Sequence, residues 1–309
     1  MSTSGRTHRL PPTVLDGGLS TGLENQGEPI VAPWWSTKCL IAGPRRELVR
    51  RVHAAHVEAG AEIVTANTFR CNLRTLRGVD LDPSSGYAWM VHAAVGVAQR
   101  VAKPRLRVAG SIGPVADAYR PELVPTDEEL REEHRWLAVE LSRAKVDLVF
   151  VETMNTAREA AIAAEAVLAT GLEPWVSFVC GDDARLLSGE PIGEAARAVL
   201  DRGATVLGVN CTTPERTGPA LRALRALREV HDGPLFVQPN VEDRTNASPV
   251  GPQPVAVGPE ALAQAVAEWH DEVGLAAVGG CCGATAEHVA ALAARFAPRE
   301  AGEPVQTGV

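Results

Sequence analysis

Near its C-terminus the chain reads Val278-Gly279-Gly280-Cys281-Cys282-Gly283-Ala284-Thr285, two adjacent cysteines closing an apolar run with glycines on both sides. Thiolates are soft ligands suited to zinc, and glycines let backbone and substrate come close to a bound ion. Two thiolates alone leave a zinc site incomplete. The best third candidate is Cys211 in Val206-Leu207-Gly208-Val209-Asn210-Cys211, another apolar stretch that ends in a cysteine, followed by the helix-opening Thr212-Thr213-Pro214. Three cysteines around one ion leave a fourth position open, the arrangement of a catalytic rather than a structural zinc. A thiol filling that position would be held as thiolate near neutral pH. The competing reading is three small buried hydrophobes. A disulfide between the neighbours Cys281 and Cys282 is disfavoured by strain, although oxidation of such a cluster would release its ion.

The elements that must bring these sulfurs together are strands and helices in alternation. Apolar strands are expected over Thr13–Gly18, Glu62–Thr68, Arg107–Ser111, Asp147–Glu152, Pro174–Cys180, Val206–Cys211, Leu235–Gln238 and Leu275–Gly279. Each is followed by residues with helical apolar spacing, as in Leu130, His134, Leu137, Leu141 and Ala144 behind the capping box Thr126 to Glu129. The sixth of these helices carries Leu221, Leu224, Leu227 and Val230. Eight such units in 309 residues predict an α/β fold, a single (β/α)8 TIM barrel, with an open doubly wound sheet as the alternative. One domain is expected over residues 1–309, with a loose tail at 298–309. In a barrel the C-terminal strand ends share one face, so Asp16, Asn67, Ser111, Glu152, Cys211, Asn240, Cys281 and Cys282 are predicted to converge there. The long segments Gln26–Pro44 and Asn240–Pro259 follow strand ends, where barrel enzymes build lids and pockets.

Composition narrows the function classes. A net charge of −8 without a basic tract argues against nucleic acid. The first dozen residues lack the apolar core of a signal peptide and no run approaches membrane-spanning length, so a cytoplasmic protein with no membrane partner is expected. Six cysteines are too few for a disulfide scaffold in a chain of this length. Cys39, Cys71 and Cys180 read as core residues, and His53 with His56, at helical spacing, as surface residues. No GxGxxG follows the first strand, which gives no sign of a dinucleotide.

In order along nearly the whole chain, Leu15-Asp16-Gly17-Gly18, Pro33-Trp34-Trp35-Ser36, Thr65-Ala66-Asn67-Thr68-Phe69, Gly110-Ser111-Ile112-Gly113-Pro114, Val151-Glu152-Thr153, Gly208-Val209-Asn210-Cys211, Pro239-Asn240 and Gly279-Gly280-Cys281-Cys282-Gly283 resemble the homocysteine S-methyltransferase family. The resemblance implies a Zn2+-dependent barrel in which homocysteine receives a methyl group from a sulfonium donor, giving methionine. It is closest to the short stand-alone members that use S-methylmethionine or S-adenosylmethionine, since no folate- or cobalamin-binding extension follows. By the same resemblance Cys211, Cys281 and Cys282 match the zinc ligands, and Asp16 and Glu152 the carboxylates that hold the substrate ammonium. The backbone near Gly17 and Asn67-Thr68 matches part of the amino-acid cradle, and Asn240 a residue that caps the metal before substrate arrives.

The seventh strand departs from the family pattern. It runs Val237-Gln238-Pro239-Asn240-Val241-Glu242-Asp243, where the family commonly has tyrosine before the proline and a small residue plus glycine after the asparagine. With two tyrosines in the chain, an aromatic enclosure for a sulfonium would draw on Trp34, Trp35 or Phe69. Two other functions stay open at this level: the same zinc–thiolate chemistry on another thiol or selenol, and a non-catalytic zinc- or amino-acid-binding barrel.

Overall fold

The computed structural model describes residues 10–78, 86–101, 103–227, 229, 231–243 and 251–297. Among them the chain order is β1 (Thr13–Val14), α1 (Leu19–Glu24), a 3-10 helix (Trp35–Leu40), α2 (Gly43–Glu58), β2 (Ile63–Thr65), α3 (Leu73–Arg77), α4 (Ala88–Gln99), β3 (Arg107–Ile112) and α5 (Asp127–Arg143). There follow β4 (Leu148–Met154), α6 (Ala157–Leu168), β5 (Pro174–Phe178), α7 (Ile192–Leu200), β6 (Val206–Asn210), α8 (Pro214–Arg225), β7 (Leu235–Gln238), α9 (Pro259–Val273), β8 (Leu275–Val278) and α10 (Ala286–Phe296). The sheet order is β1-β8-β7-β6-β5-β4-β3-β2, parallel throughout, and a bridge between Leu15 and Ile63 closes β1 onto β2. The fold is the predicted (β/α)8 barrel. The expected tail 298–309 and Val230 lie outside the described residues.

Alternation along the strands builds two cores. Leu148 and Phe150, Trp175, Val206 and Phe236 point into the barrel, where Phe150, Trp175 and Phe236 sit with ring centroids 5.5–5.7 Å apart. Their sequence neighbours Val149 and Val151, Val176, Leu207, Leu235 and Val237 point outward into the layer shared with the helices. This is the period-2 rule of a sheet closed on itself and covered by helices. Local signals place the helices. Thr126 N–H donates to Glu129 Oε2 at 3.0 Å while Glu129 N–H returns to Thr126 Oγ1 at 3.4 Å, the reciprocal box that starts α5. Thr156 accepts from Glu159 N–H in the same way to start α6.

One expectation fails. His53 and His56 are 0% and 2% exposed rather than on the surface. The reason is that α2 carries further cover: α1 and the 3-10 helix at Trp35–Leu40 fold back across it, while α4 and α10 pack alongside. Burial then disfavours the imidazolium form, pushing His53 down to about 3 and His56 to about 4, so both are neutral. No helix among the described residues is long and apolar enough to cross a membrane.

Candidate active site

β6 and β8 deliver the cysteines to one place. The Sγ atoms of Cys211, Cys281 and Cys282 lie within 4.8 Å of one another, with Cys282 3.7 Å from Cys211 and 3.9 Å from Cys281. Cys211 and Cys281 are joined as a disulfide with Cα atoms 5.5 Å apart, and Cys282 is free. The oxidised pair is thus not the adjacent cysteines but the two that meet across strands, whose Cα separation suits the bond.

A backbone mesh holds the three. Cys211 N–H donates to Gln238 O at 3.0 Å, Cys281 N–H to Pro239 O at 2.8 Å, and Val241 N–H to Cys282 O at 2.9 Å. Cys211 itself sits at φ 48°, a left-handed conformation that non-glycine residues adopt at a cost and that clusters at functional sites. Gly283, at φ 81°, turns the chain behind Cys282, and a Cβ there would meet Glu242 at 2.8 Å. Gly18 is needed for closeness instead, since a Cβ there would stand 2.6 Å from the Cys281 carbonyl.

The sulfurs open on a cavity of about 380 Å³, the size range of small-molecule sites. Of the residues predicted to converge, Asp16, Asn67, Ser111, Glu152, Cys211, Cys281 and Cys282 line it, as does Gly17. Thr68 and Asn240 are buried and are not among its lining residues. Thr68 Oγ1 donates to Ser111 O and accepts from Ser111 N–H, both at 2.8 Å, while Asn240 Oδ1 accepts from Glu242 N–H at 2.9 Å. Asn67 is fixed by Ser36, whose hydroxyl donates to its Oδ1 at 2.6 Å. Trp35 and Phe69 line the cavity, and Trp34 is not among its lining residues.

Asp16 and Glu152 form an acidic pair across the mouth. Asp16 accepts from Thr65 N–H at 2.7 Å and from the Thr65 hydroxyl at 2.8 Å. Burial nevertheless pushes its carboxyl up to about 6. Burial raises Glu152 to about 7, the Ser111 hydroxyl opposing and the Asp16 charge adding. Such groups ionise readily when a cation arrives.

Asn210 was not singled out from sequence as a site residue, and Gln238 and Glu242 stood out only as part of the seventh-strand departure. Asn210 is buried at the end of β6: its Oδ1 accepts from Thr153 N–H (2.8 Å) and the Ser177 hydroxyl (2.9 Å), and its Nδ2 donates to Thr153 Oγ1 (2.8 Å) and Glu152 Oε2 (3.2 Å). Gln238 and Glu242 from the unusual seventh-strand segment both line the cavity, and the Gln238 Oε1 is buried with no partner among the described residues. The available signal was position: Asn210 and Gln238 lie two residues beyond the inward-facing Gly208 and Phe236, so they extend the barrel interior to its rim.

The donor set fits zinc. Tetrahedral zinc with Zn–S near 2.3 Å spaces its sulfurs about 3.8 Å apart, which the two non-bonded separations here match. Reduction of Cys211 and Cys281 frees all three thiolates for an ion. The three cysteines are the whole of the cluster among the described residues, so a fourth position would face the cavity.

A parallel barrel with a thiol cluster and a carboxylate pair at the C-terminal strand ends belongs to the barrel enzymes whose chemistry is built on that face. The comparisons narrow the class. The family model described as homocysteine S-methyltransferase matches residues 13–296, and the chain belongs to that family. Homocysteine S-methyltransferase 4 of Zea mays is 31% identical over 91% of this chain and 88% of its own. A selenocysteine Se-methyltransferase of Brassica oleracea var. italica is 28% identical over 93% and 89%. The homocysteine methyltransferase MmuM from Escherichia coli, crystallised in metallated and oxidized forms, shares the fold at a TM-score of 0.77 and 28% identity over 92% of this chain and 96% of its own.

Proposed function

We propose that this protein is a zinc-dependent methyltransferase that moves a methyl group from a sulfonium donor, S-methylmethionine or S-adenosylmethionine, to the sulfur of homocysteine, giving methionine. The observation that carries the reading is the opening of three cysteine sulfurs and a carboxylate pair onto one cavity. Cys211, Cys281 and Cys282 would hold the ion, which when bound supplies the Lewis acidity that keeps an acceptor thiol ionised at neutral pH.

The chain's own residues do the rest. Asp16 and Glu152 receive the homocysteine ammonium, which restores their ionised forms and orients the amino acid with its sulfur toward the cysteines. Gly17 and Asn67 wall the same end, with Asn67 locked by Ser36 so that it offers a rigid surface. Thr68 braces Ser111 beside that wall, and Asn240 braces the seventh-strand segment through Glu242 N–H and Thr212 O. The transfer is an in-line displacement: the acceptor sulfur forms a bond to the methyl carbon as the carbon–sulfonium bond breaks, its electron pair staying on the donor as a neutral thioether. The acceptor thiol proton has already left to solvent. Positioning carries much of the acceleration, because both sulfurs and the methyl must be collinear.

The test is zinc content and methionine formation on one preparation purified under reducing conditions, with homocysteine and each donor in turn. About one zinc per chain and methionine from one donor support the reading. No zinc in fully reduced protein sinks it. A second reading keeps the chemistry and changes the acceptor to another thiol or a selenol. It is favoured by Gln238 and Glu242 at the cavity wall and by the similarity to a selenocysteine methyltransferase. A panel of thiols and selenols against labelled donor separates the two.

A further inference from the structure

The cavity wall is acidic except at one place. Asp16, Glu24, Glu152 and Glu242 line it, and Arg70 is the single basic side chain among its described lining residues. Arg70 is 6% exposed. Its Nη1 donates to Pro114 O at 3.0 Å and to Ala116 O, and its Nε is buried with no acceptor. The guanidinium carbon stands 5.1 Å from the Phe69 ring centroid and 6.0 Å from that of Trp35. No carboxylate lies within ion-pair distance of it among the described residues. Asp117 and Glu159 act on it from farther off, and both are engaged: Asp117 accepts from Tyr119 N–H at 2.8 Å, and Glu159 from Val115 N–H at 2.7 Å, with His134 3.1 Å away.

A buried cation without a carboxylate is costly, and the partner that a planar guanidinium matches is an anion with two oxygens. The presence of Arg70 is also a problem for the proposed chemistry. A sulfonium is a cation, and a second cation in the same cavity repels it unless the donor brings its own negative charge. Place decides which substrate meets Arg70. It follows β2, four strands from β6 in a ring of eight, and so sits across the mouth from Cys211. It is clamped to the 114–116 segment, whose continuation, Ala118 and the partly exposed Tyr119, forms the outer wall. Asp16 and Glu152 already take the acceptor ammonium in the reading above, and Gly17 walls that end.

The geometry points to Arg70 as the residue that binds the carboxylate of the methyl donor and so restricts donors to sulfonium amino acids. This rests on the methyl-transfer reading above. A sulfonium donor without a carboxylate leaves the Arg70 charge unpaired and is disfavoured, while Phe69 and Trp35 stand against the guanidinium plane.

The experiment measures kcat/KM on reduced, zinc-loaded protein with homocysteine and two donors, S-methylmethionine and its decarboxylated analogue (3-aminopropyl)dimethylsulfonium, for wild type, Arg70→Lys and Arg70→Met. The wild type prefers the carboxylated donor, and Arg70→Met lowers that preference by about 10- to 100-fold, the worth of a charge-assisted pair. Arg70→Lys, which keeps the charge but loses the fork, falls between. The KM for homocysteine moves by less than about threefold. Equal loss with both donors means that Arg70 only braces the 114–116 segment, and a change confined to homocysteine KM means that it reads the acceptor; either overturns the proposal. A wild type that shows no donor preference overturns it without any variant. Wild-type protein that transfers methyl from neither donor overturns the methyl-transfer reading itself and this proposal with it.

Discussion

Asn210, the residue before Cys211, donates its side-chain N–H to Glu152 Oε2 at 3.2 Å, so β6, which delivers a cysteine to the cluster, is tied across β5 to a carboxylate at the end of β4. The same amide holds Thr153, at φ 60°, through both its N–H and its hydroxyl. Two left-handed residues, Thr153 and Cys211, are therefore fixed around one buried side chain. Asn210→Ala leaves the Thr153 N–H and the Ser177 hydroxyl without an acceptor. The expected loss is roughly 2–4 kcal/mol, read as a lower denaturation midpoint at unchanged slope. Zinc affinity falls with it, because Cys211 is no longer held in place. A change below about 0.5 kcal/mol would show that the network is incidental.

The six cysteines divide into two sets that a thiol reagent can tell apart. Cys39, Cys71 and Cys180 are buried, and burial pushes their thiols up to about 11, 12 and 12, so they react slowly in the native state. Cys211, Cys281 and Cys282 face the cavity. Reduced, metal-free protein should show three fast thiols. Zinc should protect all three, and mild oxidation should leave Cys282 as the one fast thiol and abolish zinc uptake. Zinc binding by the oxidised protein would overturn the assignment of Cys211 and Cys281 as ligands.

The carboxylate pair makes binding depend on pH with a definite sign. Burial raises Asp16 from 3.8 to about 6 and Glu152 from 4.5 to about 7. Between those limits the ligand-free folded protein holds protons that the unfolded chain has released. Its stability therefore falls as pH rises from about 4 to about 7, and levels off above. An ammonium ligand needs the ionised forms, so affinity moves the other way, rising over pH 6–7 and flattening beyond. Methionine is the probe of choice because it has no thiol proton to confuse the count. Calorimetry near pH 6.5 in buffers of different ionisation enthalpy should record proton release on binding, and Glu152→Gln should reduce it. Proton uptake, or an affinity independent of pH, would contradict the role given to the pair.

Periodicity made the barrel and its metal-binding candidates legible. Apolar strands such as Leu148–Met154 and Val206–Asn210, each feeding a capped or proline-started helix, specify a parallel sheet, and cysteines at strand ends point to one face. The rim was harder to read. Ser177 and Asn210 each follow by two residues an inward position of the interior layer, namely Trp175 and Gly208. The pattern is visible only once the inward register of every strand is known, and short buried strands do not reveal it. The histidines of α2 were misread for a related reason. Helical spacing gives the face of His53 and His56, but part of the cover on α2 comes from α1 and Trp35–Leu40, short segments outside the strand–helix repeat.

That interior layer can be tested at Gly208, paired in register with Phe236. A Cβ at 208 would lie 2.6 Å from two atoms of the Phe236 ring and 2.7 Å from its carbonyl oxygen. The ring cannot move aside freely, since Phe150 and Trp175 stand 5.6 Å and 5.5 Å from it, and the carbonyl belongs to β7 itself. Gly208→Ala must therefore spread β6 from β7, at a cost of about 1–3 kcal/mol. The spread reaches Asn210 and Gln238 two residues on, so zinc affinity and homocysteine binding weaken together with stability. Phe236→Leu opens room on the far side of the clash. The double variant should then be more stable than the sum of the two single losses, by about 1 kcal/mol in a denaturation cycle. Strict additivity would mean that the contact is relieved elsewhere and that Gly208 does not set the spacing of the two strands.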